Sequence, residues 1–218
     1  HLNYQYLNQM NNGSVSGLKC RETLRNDHLC QVCCEGKQTR LPFKNKGNRA
    51  TQVLQTIHAD LCGPMEEKSL GGARYFFILE DDYTKMVFVY FLKEKNEAFD
   101  KFKEFKNYAE NQVGAKIKEF RTDQGTEFCS NEFNEFYKKN GIMHQMTNAY
   151  TPEQNGMSER MNRTIIEKSR CLLYDSELEK KFWAEATATA VYLRNRSVVS
   201  GQEKTPYEMW TGRKPDVS

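Results

Sequence analysis

The apolar positions along the chain follow two spacings, one of two residues and one of three to four, which predict strands and helices in alternation. Val53 to Leu61, Tyr75 to Leu79 and Met86 to Leu92 are runs of β-branched and aromatic residues and read as three successive strands. Asp81-Asp82-Tyr83-Thr84-Lys85 makes the turn between the last two, as in an antiparallel meander. Asp81 and Asp82 therefore read as turn formers rather than ligands. From Asn96 to Asn111, Phe99, Phe102, Phe105 and Tyr108 recur between charged residues, which predicts an amphipathic helix with an aromatic core stripe. A strand from Ile117 to Thr122, a helix from Asn131 to Asn140 and a short strand from Ile142 to Met146 follow. A long helix is expected from Asn155 or Gly156 through Tyr174. Another runs from Lys180 to Arg194, with Phe182, Trp183, Ala186, Ala190 and Leu193 on its apolar side. The pattern alone supports a mixed α/β domain.

The flanks read differently. His1 to Gly17 is expected to hold a short helix, with Asn3 as N-cap and Asn12-Gly13 as the stop. Cys30 and Cys33 form a Cys-x2-Cys knuckle of the kind that suits tetrahedral zinc, the plainer reading being free cysteines in a loop. The chain divides on this reading into a His/Cys segment (1–43), a linker (44–52), a core (53–197) and a basic, turn-rich C-terminal extension (198–218). Opening on His1 and stopping at Ser218, it is expected to be a piece of a longer polyprotein. No apolar run reaches 18 residues, which excludes a membrane-spanning helix, and no signal peptide opens the chain. Seven cysteines, an odd number without disulfide-like regularity, suit a reducing compartment. The formal charge of the 218 residues is only +3. Lys19 to Arg49, however, carries eight basic and three acidic residues, a surplus of +5 that suits phosphate attraction or simply a solvated linker.

The candidate chemistry lies in three acids. Asp60 interrupts the apolar strand Ile57-His58-Ala59-Asp60-Leu61, Asp123 ends the strand that begins at Ile117, and Glu159 falls in the first turns of the long helix. A charge inside a buried strand is costly unless paired or metal-bound, and three carboxylates without a nearby lysine point to a divalent cation. Asn155, Glu159, Asn162, Arg163 and Ile166 share one helical face, poor core material but a plausible wall over metal and phosphate. His58 and His144 are the histidines of the core, and neither forms a nucleophile-base arrangement with a serine or cysteine.

With 35 residues between Asp123 and Glu159 and 62 between Asp60 and Asp123, the triad resembles the D,D-35-E pattern of retroviral and retrotransposon integrases. Thr122-Asp123-Gln124-Gly125-Thr126-Glu127-Phe128, Gln154-Asn155-Gly156-Met157-Ser158-Glu159-Arg160 and Thr205-Pro206-Tyr207-Glu208-Met209-Trp210 resemble, more narrowly, the copia-type LTR retrotransposon integrase. The likeness covers nearly the whole chain. It implies an α/β fold, a ribonuclease H-like mixed five-stranded sheet with flanking helices, preceded by a small helical zinc-binding segment. It implies that Asp60, Asp123 and Glu159 are catalytic and hold two Mg²⁺ or Mn²⁺ ions, Asp60 bridging both, Asp123 holding one and Glu159 the other. Water would attack first, and the exposed DNA 3′-hydroxyl would then attack target DNA. Asn155, Asn162 and Arg163 would contact DNA, and Thr151 to Met157 would be a mobile active-site loop. His1, Cys30 and Cys33 would bind Zn²⁺ in a His-His-Cys-Cys module whose first histidine lies upstream, with Cys20, His28 or Cys34 as substitutes. Partners would be element ends, target DNA and further copies of the chain, with no membrane. The location would be intracellular, in a virus-like particle in cytoplasm and nucleus. The rival readings are a ribonuclease H-type nuclease that cuts without joining, and an inactive or domesticated DNA- or protein-binding module.

Overall fold

The chain separates into two units, His1–Lys44 and Asn45–Ser218. The computed structural model describes residues 49–123, 125–146 and 152–216, with side chains for all of these but residue 126 and residues 152–159. The segment 1–43, with His1, Cys20, His28, Cys30, Cys33 and Cys34, lies outside the described residues.

Five strands, β1 (Thr56–Cys62), β2 (Tyr75–Asp81), β3 (Val87–Leu92), β4 (Glu119–Thr122) and β5 (Met143–Met146), form one sheet in the order β3-β2-β1-β4-β5. The β1–β2 and β2–β3 pairs are antiparallel, the second joined by a short turn, and β1–β4 and β4–β5 are parallel, joined through helices. This is the mixed five-stranded sheet expected above. The helices are α1 (Ala98–Val113), α2 (Asn131–Asn140), α3 (Pro152–Asp175), α4 (Trp183–Arg196) and α5 (Pro206–Thr211).

Strand alternation sorts side chains onto two faces. Ile57, Ala59, Phe77, Leu79 and Phe120 point to one face, where they meet Phe102 and Phe105 of α1 and Phe133 and Tyr137 of α2. Phe76, Ile78 and Val87 point to the other, against Ile165 of α3 and Trp183, Ala190 and Val191 of α4. The helices begin and end at local signals. Ser130 Oγ caps α2 by accepting from Phe133 N at 3.3 Å, and Gly114 and Gly141 end α1 and α2 in the left-handed conformation.

Four expectations need correction. The first strand starts at Thr56, not Val53: Leu54 takes a left-handed φ of 61°, and its N–H donates to Asp81 Oδ1 at 2.8 Å. The aromatic stripe of α1 is only half core. A three-residue step falls 60° short of a full turn each time, so Phe102 and Phe105 are buried while Tyr108, at the end of the series, is exposed. The long helix opens at Pro152, so residues 152–157 are helical rather than a loop. Proline at the first helical position is favourable, and Gly156 weighs only about 1 kcal/mol against the helix. The segment 198–218 carries three basic and three acidic residues, so it is not basic. It holds α5, capped by Thr205 Oγ1 on Glu208 N at 3.1 Å, and its Trp210 packs into the aromatic core at 5.1 Å from Phe88.

Asp81 and Asp82 are turn residues, as expected. Asp81 accepts from the N–H of Leu54 and Thr84 and from the Thr84 hydroxyl at 2.7 Å; Asp82 accepts from Ala50 N at 2.7 Å and from Lys85 Nζ at 2.6 Å. Next to them, Glu80 Oε1 accepts from Arg194 Nη2 at 3.2 Å, and Asn195 bonds both the N–H and the C=O of Val87, so α4 is tied to the sheet by polar groups. Burial pushes the Glu80 carboxyl up to about 7, despite the downward pull of Arg194 and Lys85.

A raised carboxyl contributes stability that is complete below its unfolded value of 4.5 and is lost as pH rises through about 7. We therefore expect the chain to lose stability relative to Glu80→Gln between these two pH values, by at most about 3 kcal/mol. Urea melts of both proteins across the window check this; parallel curves would contradict it.

Candidate active site

Asp60 and Asp123 are brought together by strand pairing. The parallel register of β1 on β4 aligns Thr56 with Glu119, Ile57 with Phe120 and His58 with Arg121. The same 63-residue offset, carried past the paired segment, places Asp60 level with Asp123 at the carboxyl ends of the two strands. Ile57 and Ala59 are in the aromatic core, so alternation turns Asp60 to the opposite face, the one that α3 crosses. Asp123 follows Phe120 and Thr122, both buried, and opens to that face too. Both carboxylates are partly exposed.

Amides hold both carboxylates. Asn162 of α3 donates from Nδ2 to Asp60 Oδ2 at 2.6 Å, and Leu61 N donates to Asp60 Oδ1 at 2.8 Å. Asp123 Oδ1 accepts from Gly125 N at 3.0 Å, an aspartate turn that stops the strand where the acid is needed. The Asn162 Oδ1 is buried beside Asp60 and has no hydrogen-bond partner among the described residues. Glu159 belongs to α3, one turn before Asn162; its side chain and that of Asn155 lie outside the described residues. Arg163 lines, with Asp60, Asn162, Ile166, Glu167 and Arg170, an open groove of about 490 Å³ along α3.

Asn162, expected to contact DNA, is seen here holding Asp60. Two further contacts were missed. The Thr122 hydroxyl donates to Asp123 O at 2.8 Å and lies 2.9 Å from His144 Nε2, and Arg121 donates from Nε and Nη2 to Gln145 Oε1 at 3.1 and 2.7 Å. Only the parallel register of β5 on β4 brings these pairs together.

The other titratable groups are not poised as nucleophile or base. Burial lowers the pKa of His58 despite the Asp82 carboxylate 3.7 Å away, and burial also lowers that of His144. Burial and then the Asp60 carboxylate raise the Cys62 thiol, which keeps it protonated. The chemistry on offer is that of carboxylate oxygens: binding a hard cation, or accepting hydrogen bonds. Among the described residues no three His, Cys, Asp or Glu side chains form a metal-sized cluster.

Comparison with known proteins agrees with this geometry. Residues 50–152 match the integrase core domain family. The chain is 42% identical over 190 residues to the retrovirus-related Pol polyprotein from transposon TNT 1-94 of Nicotiana tabacum, covering 87% of this chain and 14% of the polyprotein. It is 33% identical over 189 residues to that from transposon RE1 of Arabidopsis thaliana, covering 86% and 13%. The chain thus spans a small part of these relatives. Among solved structures, the simian T-cell lymphotropic virus intasome in complex with PP2A regulatory subunit B56 gamma matches with a TM-score of 0.64 and 18% identity, over 88% of this chain and 66% of that one. The HTLV-2 integrase catalytic core domain in complex with magnesium matches with a TM-score of 0.56 and 21% identity, over 74% and 99%. These structures share the fold, which is the ribonuclease H-like one. The integrase-core match and the plant retrotransposon relatives together place the chain in the integrase core family, among the copia-type LTR retrotransposon integrases.

Proposed function

We propose that this chain carries the DNA-cutting and DNA-joining site of a retrotransposon, inserting element ends into target DNA. The observation that carries the reading is the register of β1 on β4, which continued past the paired residues puts Asp60 level with Asp123, with Asn162 of α3 fastened to Asp60 and Glu159 one turn earlier on the same helix. The residues fit a pair of divalent cations. The donors are hard carboxylate oxygens, held by amides, and the orphaned Asn162 Oδ1 is an acceptor that a cation-bound water would satisfy. Asp60, Asp123 and Glu159 would hold two Mg²⁺ or Mn²⁺ ions, and when bound these would stabilise the attacking and leaving oxygens of an in-line displacement.

The chain's own residues do the rest. Asn162 orients Asp60, Gly125 N fixes Asp123, and Arg163, exposed on α3 beside the groove, contacts DNA backbone. Asn155 would contact DNA from the first turn of the same helix. The magnesium complex of the HTLV-2 core domain, seen in trimeric and dimeric forms, and the simian virus intasome support cation binding, self-association and assembly. The natural setting on this reading is a virus-like particle in cytoplasm and nucleus. His1, Cys30 and Cys33 are proposed as ligands of a structural Zn²⁺.

Asp60→Asn, Asp123→Asn and Glu159→Gln are each expected to abolish end cleavage and joining on oligonucleotides mimicking the element ends. Melting without metal should stay level or rise, because like charges are separated, while the stabilisation by added Mg²⁺ shrinks. Asp100→Asn, on an exposed helix position, is the control. Retained cleavage by Asp60→Asn would remove the metal reading; cleavage without joining by the parent would favour the nuclease.

Asn162→Ala should weaken the apparent Mg²⁺ affinity about 10–100-fold, since a group that orients a metal-binding carboxylate acts through it. A metal titration of cleavage measures this, and an unchanged midpoint would make Asn162 a plain packing residue. For zinc, metal analysis of the chain extended upstream should find one zinc, lost in Cys30→Ser/Cys33→Ser; the same zinc content in both would end that assignment.

A further inference from the structure

We propose that Arg121 anchors a phosphate of the DNA strand being cut, and that Gln145 holds its guanidinium for that purpose. This rests on the reading of Asp60 and Asp123 as the reacting site and deepens it. Along β4 the residues alternate. Phe120 and Thr122 are buried on the aromatic side, and Glu119, Arg121 and Asp123 open to the other, where Asp60 lies. On that side α3 and α4 lie against β1 and β3, whereas Glu119, Arg121 and Gln145 stay partly exposed on β4 and β5. Two residues of strand separate Arg121 from Asp123 by about 6.6 Å, with both side chains leaving the same face. A backbone crossing the two aspartates therefore meets Arg121 next.

How the guanidinium is held points to a ligand rather than an ion pair. Nε and Nη2 converge on one neutral oxygen, Gln145 Oε1, at 3.1 and 2.7 Å. The nearest carboxylate, Glu119, stands 3.8 Å from Nη2, and its Oε2 instead accepts from Thr56 Oγ1 at 3.0 Å. A guanidinium paired with a carboxylate normally closes to roughly 2.7–2.9 Å. Here a neutral amide fixes the direction of the fork, and Glu119, in only a long ion-pair contact, leaves most of its charge for a phosphate. The plainer alternative, a cross-strand pair on a wet sheet face, would be worth only about 0.2–1 kcal/mol and would do nothing to DNA.

The test is binding of the 218-residue chain, without divalent metal, to a duplex ending in the element terminus and to a scrambled duplex, over a range of salt. Arg121→Ala should weaken both about tenfold and reduce the slope of log affinity against log salt by about one. Arg121→Lys and Gln145→Ala should keep the slope and lose part of the affinity, because charge remains while the fork's orientation is gone. Glu119→Gln should leave affinity equal or raise it. Arg213→Ala, beyond α5, is the control for simple loss of charge and should barely change binding. The proposal is overturned if Arg121→Ala binds like the parent, if Arg213→Ala matches it, or if Glu119→Gln weakens binding as much. A parent that binds and cuts DNA while Arg121→Ala does so equally well refutes this inference alone. A parent that neither binds nor cuts overturns it together with the proposed function.

Discussion

The parallel pairing of β1 with β4 is the constraint on which the rest of the structure depends. Its register puts two carboxylates side by side, an arrangement that like charges resist and no local propensity supplies. The opposing stabilisation comes from the far face of the same strands. Phe77, Phe102, Phe105, Phe120, Phe128 and Phe133 are fully buried there and touch in chains, with Phe102 4.2 Å from Phe120 and Phe77 5.8 Å from Phe128. Deleting one buried phenylalanine typically costs about 3–5 kcal/mol, so even a pair of them outweighs the repulsion between two half-solvated acids. Slipping β4 by one residue would separate the acids, but it would also turn Phe120 to the wet face. The core thus fixes the site's geometry from behind.

The second face of the sheet is divided. Over β2 and β3 it is apolar except for the buried Glu80 and packs against α3 and α4; over β1 and β4 it carries the buried Thr56 and His58 and the partly exposed Asp60, Glu119, Arg121 and Asp123. The division follows from the connections. β2 and β3 pack against helices that follow them in the chain, and their inward positions, Phe76, Ile78, Val87 and Phe91, are hydrophobic accordingly. β4 ends in an acid and a turn, and its open positions are polar. The functional half of the sheet is the half that is left without an apolar cover.

Much of this was legible in the sequence because it obeys local rules. The five strands and the first four helices follow from two- and three-to-four-residue spacing. What failed to show depends on distant partners. The start of β1 was misplaced because Asp81, 27 residues away, captures the Leu54 N–H. Trp210 gave no hint that it would join the core, because Phe88 and Gln112, its partners, are far off in sequence. At the site, the acids could be named from their surroundings in the chain. The Asn162–Asp60, Arg121–Gln145 and Thr122–His144 pairs could not, since each depends on strand order or on where α3 crosses the sheet.

The charged groups themselves show why burial alone is a poor guide to function in this protein. Among the described residues Glu80, Asp81, Asp82, Lys106 and Arg194 are the most buried, and each has a partner within the fold, although Glu80 Oε2 is left without one. Arg194 meets Glu80, Lys106 meets Glu110 at 2.9 Å, and Asp81 and Asp82 collect backbone N–H groups. A buried charge left without such partners would be strongly destabilising, so these groups have to be satisfied for the fold to exist. Asp60, Asp123 and Arg121 are different in kind. They are half-exposed, so leaving them charged is inexpensive, and neutral amides (Asn162 on Asp60, Gly125 N on Asp123, Gln145 on Arg121) set their direction. Charge oriented by neutral groups on a partly exposed patch is the feature that separates a binding surface from a buried structural ion pair.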